Sequence, residues 1–406
     1  MYRHIEISKL QILTQILAQI KEHPGLAMAI QRLGFDDFCD PSGLPTETGN
    51  PLLEVLDRTP LIREFRINKH MERYLSYETL QKIFCGLPYL ETLDLSACDS
   101  LAFVEGCLKA ICGDGRVMNS IRSVSLAGCS TLPPEFFGSL LRQLPSLQHL
   151  DISNSQITAS ALSHIPATAR LIRLDISHCD SLAGAEVVDF LSQHPSVKSV
   201  EYLNIETTSG GEDSILTEED ISKLLSHVSP SLKILNLKNS AMASAHVPLL
   251  QTLSLQLDEL CIGSHLQFKD IEQLFFDFQI MDSEENDSDD AERDGTDEIE
   301  SKYQAVLNPM EEAMAVCKLR QRINSFPESS KQVTLRYLDI SSLPVGEQCK
   351  IRMSVLLGPQ SRPLEVIEIS EEALRKVGVL EKLCAAVGWE VKSVGRRYWL
   401  RRKVVG

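Results

Sequence analysis

Residues 90–98 read Leu90-Glu91-Thr92-Leu93-Asp94-Leu95-Ser96-Ala97-Cys98, and residues 171–179 read Leu171-Ile172-Arg173-Leu174-Asp175-Ile176-Ser177-His178-Cys179. The shared apolar frame, Leu-x-x-Leu-x-Leu, also appears as Ile121-Val124-Leu126, Leu147-Leu150-Ile152, Val200-Leu203-Ile205, Leu232-Leu235-Leu237 and Leu257-Leu260-Ile262. After an interruption it returns at Leu335-Leu338-Ile340 and Leu364-Ile367-Ile369. Looser matches lie upstream at Ile62-Phe65-Ile67, Ile30-Leu33-Phe35 and Tyr2-Ile5-Ile7. Successive starts at residues 2, 30, 62, 90, 121, 147, 171, 200, 232 and 257 are 24 to 32 residues apart. An internal period of this length marks an array of supersecondary units, none of which can bury its apolar face alone.

Within each frame the alternate apolar residues of a short strand point inward, and the residues between them point outward. The segments between strands carry helical spacing, as in Leu10, Leu13, Ile16, Leu17 and Ile20, or Ile221, Leu224, Leu225 and Val228. Pro24, Pro88, Pro145 and Pro195 each stand a few residues before the next strand, where a helix should end. The pattern predicts an α/β leucine-rich-repeat solenoid of about twelve repeats. It is a right-handed horseshoe with parallel strands on the concave face and helices on the convex face.

The starts at Leu257 and Leu335 are 78 residues apart, and the gap contains a charge run. From Asp282 to Glu300 there are eleven acidic residues and one arginine, Arg293. Such a segment resists collapse and is expected to be a solvated, disordered insertion. A helix is expected over Phe268–Phe278 before it, and another over Glu311–Arg322 after it, with Ala313, Val316, Leu319 and Ile323 inward. Beyond Glu371 a helix with Leu374, Val377, Leu380, Leu383 and Cys384 inward precedes Trp389–Val394 and Tyr398–Leu400. Gly395-Arg396-Arg397 reads as the turn of a hairpin between these two stretches. Both tryptophans lie in this pair, which suits a cap over the last core layer; the basic and aromatic Arg396–Lys403 stretch is also compatible with an anionic contact. The resulting organisation is a solenoid over 1–279, an acidic insertion over 280–302, a resumed solenoid over 303–370 and a C-terminal cap over 371–406.

The formal charge is −16, of which the acidic run supplies −10, leaving −6 for the remaining chain. A mildly acidic array argues against an extended nucleic-acid surface and against attraction to anionic membranes. No signal core or membrane-length apolar run is present. The 11 cysteines are odd in number and contain no Cys-x-x-Cys pair, so neither a disulfide framework nor a four-thiolate zinc site is expected. These features point to the cytoplasm or nucleus. No nucleophile elbow, phosphate loop or metalloprotease motif appears, so no enzyme activity, cofactor or metal is expected.

Cys98, Cys129 and Cys179 share one register, three residues after the last strand apolar, and Ser155 and Ser240 take the equivalent place. Small buried side chains that serve nearby backbone groups are expected there. The strings ending in Cys98 and Cys179 resemble the cysteine-containing repeats of F-box/LRR proteins, with ribonuclease-inhibitor-like architecture. The opening Tyr2-Arg3-His4-Ile5-Glu6-Ile7-Ser8, followed by an amphipathic helix and His23-Pro24, resembles the segment that follows the F-box in such proteins. No F-box precedes Tyr2, and the similar string Leu132-Pro133-Pro134-Glu135-Phe136 sits where a repeat helix should begin. The resemblance implies substrate recognition for a cullin–RING ubiquitin ligase, provided an F-box or another link to the ligase exists.

The residues between the strand apolars form columns, because strands stack about 5 Å apart. We take Asp94, Ser125, Asp151, Asp175, Asn204, Asn236 and Asp339 as partner-contacting residues, with His149, Arg173, Tyr202, Lys238 and Tyr337 flanking them. A column rich in Asp and Asn would suit a basic peptide or loop. The expected function is protein–protein recognition through this face. The alternative is an assembly scaffold or chaperone-like regulator for a basic client, outside ubiquitin pathways.

Overall fold

The computed structural model describes residues 3–39, 49–112, 116–208, 215–276, 309–325, 333–377 and 380–403. The acidic run assigned to 280–302 lies outside them. The chain forms two compact units, Met1–Thr208 with His227–Leu232, and Ser209–Ser226 with Lys233–Gly406.

The first unit contains eight three-residue strands: β1 (His4–Glu6), β2 (Arg32–Gly34), β3 (Glu64–Arg66), β4 (Thr92–Asp94), β5 (Ser123–Ser125), β6 (His149–Asp151), β7 (Arg173–Asp175) and β8 (Tyr202–Asn204). Each pairs in parallel with the next. Their central residues fall into one line, Ile5, Leu33, Phe65, Leu93, Val124, Leu150, Leu174 and Leu203. From Leu33 onward every member of that line is buried, each such side chain contributing about 1.5–3 kcal/mol. The three weakly matching frames upstream thus become β1, β2 and β3, in register with the strong ones.

Helices alternate with the strands. Leu13, Leu17 and Ile20 are the buried face of Leu10–Glu22, and Leu80, Ile83 and Phe84 that of Tyr77–Cys85. The helices Leu10–Glu22, Tyr77–Cys85, Pro134–Leu141 and Gly184–Gln193 all stop before Pro24, Pro88, Pro145 and Pro195, as a ring without an N–H requires. Pro134 itself opens Pro134–Leu141, so the F-box-like string is the start of a repeat helix.

The second unit has β9 (Ile234–Asn236), β10 (Glu259–Cys261), β11 (Tyr337–Asp339) and β12 (Val366–Ile369) in parallel, then β14 (Arg397–Arg402) and β13 (Trp389–Val394) antiparallel. Leu260 pairs directly with Leu338, so the long interruption leaves the strand register unbroken. Phe268–Phe275 is helical, and Pro309–Ser325 forms the helix expected after the acidic run. Of its four assigned inward residues, Leu319 and Ile323 are buried, Val316 is half-buried and Ala313 is exposed. The hairpin turns at Gly395, whose φ of +62° suits glycine. Trp389 is fully buried beneath it and donates Nε1–H to the Leu357 carbonyl at 2.8 Å.

Candidate functional site

The ends of β4, β6, β7, β8, β9 and β11 are shaped by the third residue of the strand. One oxygen of Asp94, Asp151 and Asp175 accepts both the backbone N–H and the hydroxyl of Ser96, Ser153 and Ser177, at 2.5–3.2 Å. Asn204, Asn236 and Asp339 accept the N–H two residues on from Glu206, Lys238 and Ser341. This is the turn that short polar side chains make with their own backbone. Three positions past the ends of β4, β5, β6, β7 and β9 the backbone is left-handed, at Ala97, Gly128, Asn154, His178 and Asn239, with φ of 52° to 75°. The backbone N–H groups of Ala97, Gly128, Asn154 and His178 then donate to the neighbouring repeat at 2.7–2.8 Å.

The next position holds Cys98, Cys129, Ser155, Cys179 and Ser240, all buried. Cys129 and Cys179 donate Sγ–H to the Leu95 and Ile152 carbonyls of the preceding repeats at 3.3 and 3.1 Å. Burial raises all three thiols, Cys129 to about 12, so none is a nucleophile at neutral pH. Among the described residues no group of three or more His, Cys, Asp or Glu could hold a metal ion.

The twelve residues singled out from sequence therefore divide by what their polar atoms already do. In the first unit, Asp94 and Ser125 meet through Ser96, whose hydroxyl lies 2.8 Å from Ser125 Oγ. Asp151 is half-buried; burial raises its carboxyl against the lowering effect of Ser153. Asp175 is buried, and its second oxygen accepts from Asn204 Nδ2 at 2.9 Å and Tyr202 OH at 3.3 Å. Burial next to that carboxylate pushes the Tyr202 phenol up to about 12, so it stays a donor. The Arg173 guanidinium lies over the Tyr202 ring, 3.8 Å from its centroid. His149, Arg173 and Tyr202 are register neighbours on β6, β7 and β8. Partial desolvation and the Arg173 charge lower the His149 imidazole, keeping it neutral.

In the second unit, Lys238 Nζ donates to Asp339 Oδ2 at 3.1 Å. Tyr337 donates to Glu368, whose carboxylate also accepts Arg397 Nε and Nη2 at 2.9 and 2.6 Å and Trp399 Nε1 at 2.8 Å. Burial alone would raise Glu368, but donation from Arg397, Tyr337 and Trp399 outweighs it and holds the carboxyl below its ordinary range. Glu368 is absent from the sequence-derived set, although it pairs in register with Asp339. Extending the column by one strand would have found it. Arg397 and Trp399 both donate to this carboxylate, which ties the hairpin to β12 in the second unit.

No protein-family model matches the chain. Part of it is similar to the F-box protein YLR352W of Saccharomyces cerevisiae, 28% identical over 181 residues, or 39% of this chain and 22% of that protein. The chain thus spans 22% of the length of the relative it matches. No described helix is long and apolar enough to cross a membrane.

Proposed function

We propose that the chain is a leucine-rich-repeat horseshoe that binds a protein partner through its concave strand face, as a substrate-recognition subunit of a cullin–RING ubiquitin ligase. The observation that carries the reading is the row His149, Arg173 and Tyr202. These outward-facing side chains are in register; Tyr202 is held by Asp175, which Asn204 also supports, and Arg173 stacks on the Tyr202 ring. A fixed polar and aromatic surface on rigid strands favours recognition, because little side-chain freedom is lost when a partner docks.

The F-box name of the partial relative and the buried cysteine register support the ligase context. The chain's role is binding alone, and transfer chemistry belongs to the enzymes it would join. A basic client on the Asp and Asn column is the weaker reading, since each of these side chains already accepts from its own turn.

Affinity purification of the full chain at low salt tests the proposal. Recovery of the ligase's F-box-binding adaptor and a cullin is expected, together with a further protein that is lost on Arg173→Gln or His149→Ala. Recovery of a stoichiometric basic client instead, lost on deleting residues 282–300, would refute the ligase role.

A further inference from the structure

Three arginines lie on the strands of the first unit. Arg32 and Arg66 are both paired with Glu64, at 3.1 and 2.5 Å. Arg173 is different: it is exposed, and among the described residues no carboxylate lies within ion-pairing distance of its guanidinium and no hydrogen bond to it is formed. The Tyr202 ring covers one face of the guanidinium, whose N–H groups have no hydrogen-bond partner among the described residues. Its platform is fixed in turn, because Tyr202 donates to Asp175 and Asp175 is held by Ser177 and Asn204.

We infer that Arg173, stacked on Tyr202, is the anchor for an aspartate or glutamate carboxylate of the protein partner. This rests on the recognition reading above and names the chemistry of that site. A planar fork with five donors matches a carboxylate in bidentate fashion, and stacking removes much of the freedom that binding would otherwise cost. The geometry favours a carboxylate over a phosphate. Recognition of a phosphorylated residue relies on clustered arginines, whereas here the flanking strand positions hold neutral His149 and Tyr202, and the Asp151 and Asp175 carboxylates would repel a dianion more than a monoanion. Tyr202 acts as a positioning residue.

Positional peptide libraries with Glu, Gln, phosphoserine or Lys fixed at the central position, probed with the purified full chain, test this. Retention of the Glu pool over the Gln and Lys pools by about tenfold is expected. Arg173→Gln should abolish that preference, Arg173→Lys should restore only part of it, and Tyr202→Phe should fall between Arg173→Gln and wild type. Arg173 is exposed, so unchanged circular dichroism and melting of the variants separate lost binding from lost folding. Preference for phosphoserine or Lys, equal retention of all pools, or a Glu preference that survives Arg173→Gln each overturns the inference. A captured partner that resists Arg173→Gln but is lost on His149→Ala sinks the inference alone. Capture unaffected by any strand-face substitution sinks the recognition reading as well.

Discussion

Replacing Glu368 by Gln isolates the contact that ties the terminal hairpin to the last parallel strand. The wild-type carboxylate is 3% exposed and accepts from Arg397 twice, from Trp399 and from Tyr337. The Gln side chain keeps the shape but removes the charge, and it turns an NH2 group toward donors. Hydrogen bonds to a charged group contribute about 1.5–3 kcal/mol each. Removing one partner of a fully buried pair costs about 3–5 kcal/mol. The Arg397 side chain is 61% exposed and can be rehydrated, so the loss should fall at about 2–3 kcal/mol. With two compact units, a local readout is needed. In hydrogen exchange, amides of β12 and β14 should open about 30- to 150-fold more readily.

The pH dependence gives a second check. The folded-state carboxyl of Glu368 lies below its ordinary value of 4.5. Its contribution is therefore complete above the unfolded-state pKa and is lost as the pH falls from about 4.5 through the folded value. The gap between wild type and Glu368→Gln should be full at pH 7 and should close in acid. A gap under about 0.5 kcal/mol at pH 7, or one that persists unchanged down the acid limb, would refute the argument.

Leu174→Ala removes a fully buried side chain from the strand line and should destabilise the first unit by about 2–5 kcal/mol, read as a fall in denaturant midpoint. Gly128 has φ +75° with the nearest atom to an added Cβ at 3.6 Å, so Gly128→Ala meets strain but no clash. It should cost about 1–2 kcal/mol in the same unfolding assay, while Ala97→Gly, at φ 61°, should relieve strain. In thiol titration at pH 8, exposed Cys39 and Cys317 should react at once. Buried Cys98, Cys107, Cys129, Cys179 and Cys384 should react only after denaturant is added.

The strand stack was legible because one physical constraint, burial of alternate apolar residues, recurs at Leu93, Leu150, Leu174 and Leu235 and needs no tertiary information. Even Phe65 and Leu33, weak alone, were recoverable from spacing. The cysteine register was readable for the same reason: Cys129 and Cys179 occupy a fixed place in the repeat, where only a small side chain meets the preceding carbonyl. The candidate site was less legible, since outward position does not reveal what a polar atom has already bonded. Asp175 and Arg173 are two residues apart on one strand. Yet the first is consumed by Ser177, Tyr202 and Asn204, while the second keeps its donors. The Asp column that sequence offered to a basic ligand is thus largely the scaffold that holds the turns. Arg173, exposed and stacked on Tyr202, is the cation beside that column, and it is the basis for proposing an acidic rather than a basic ligand there.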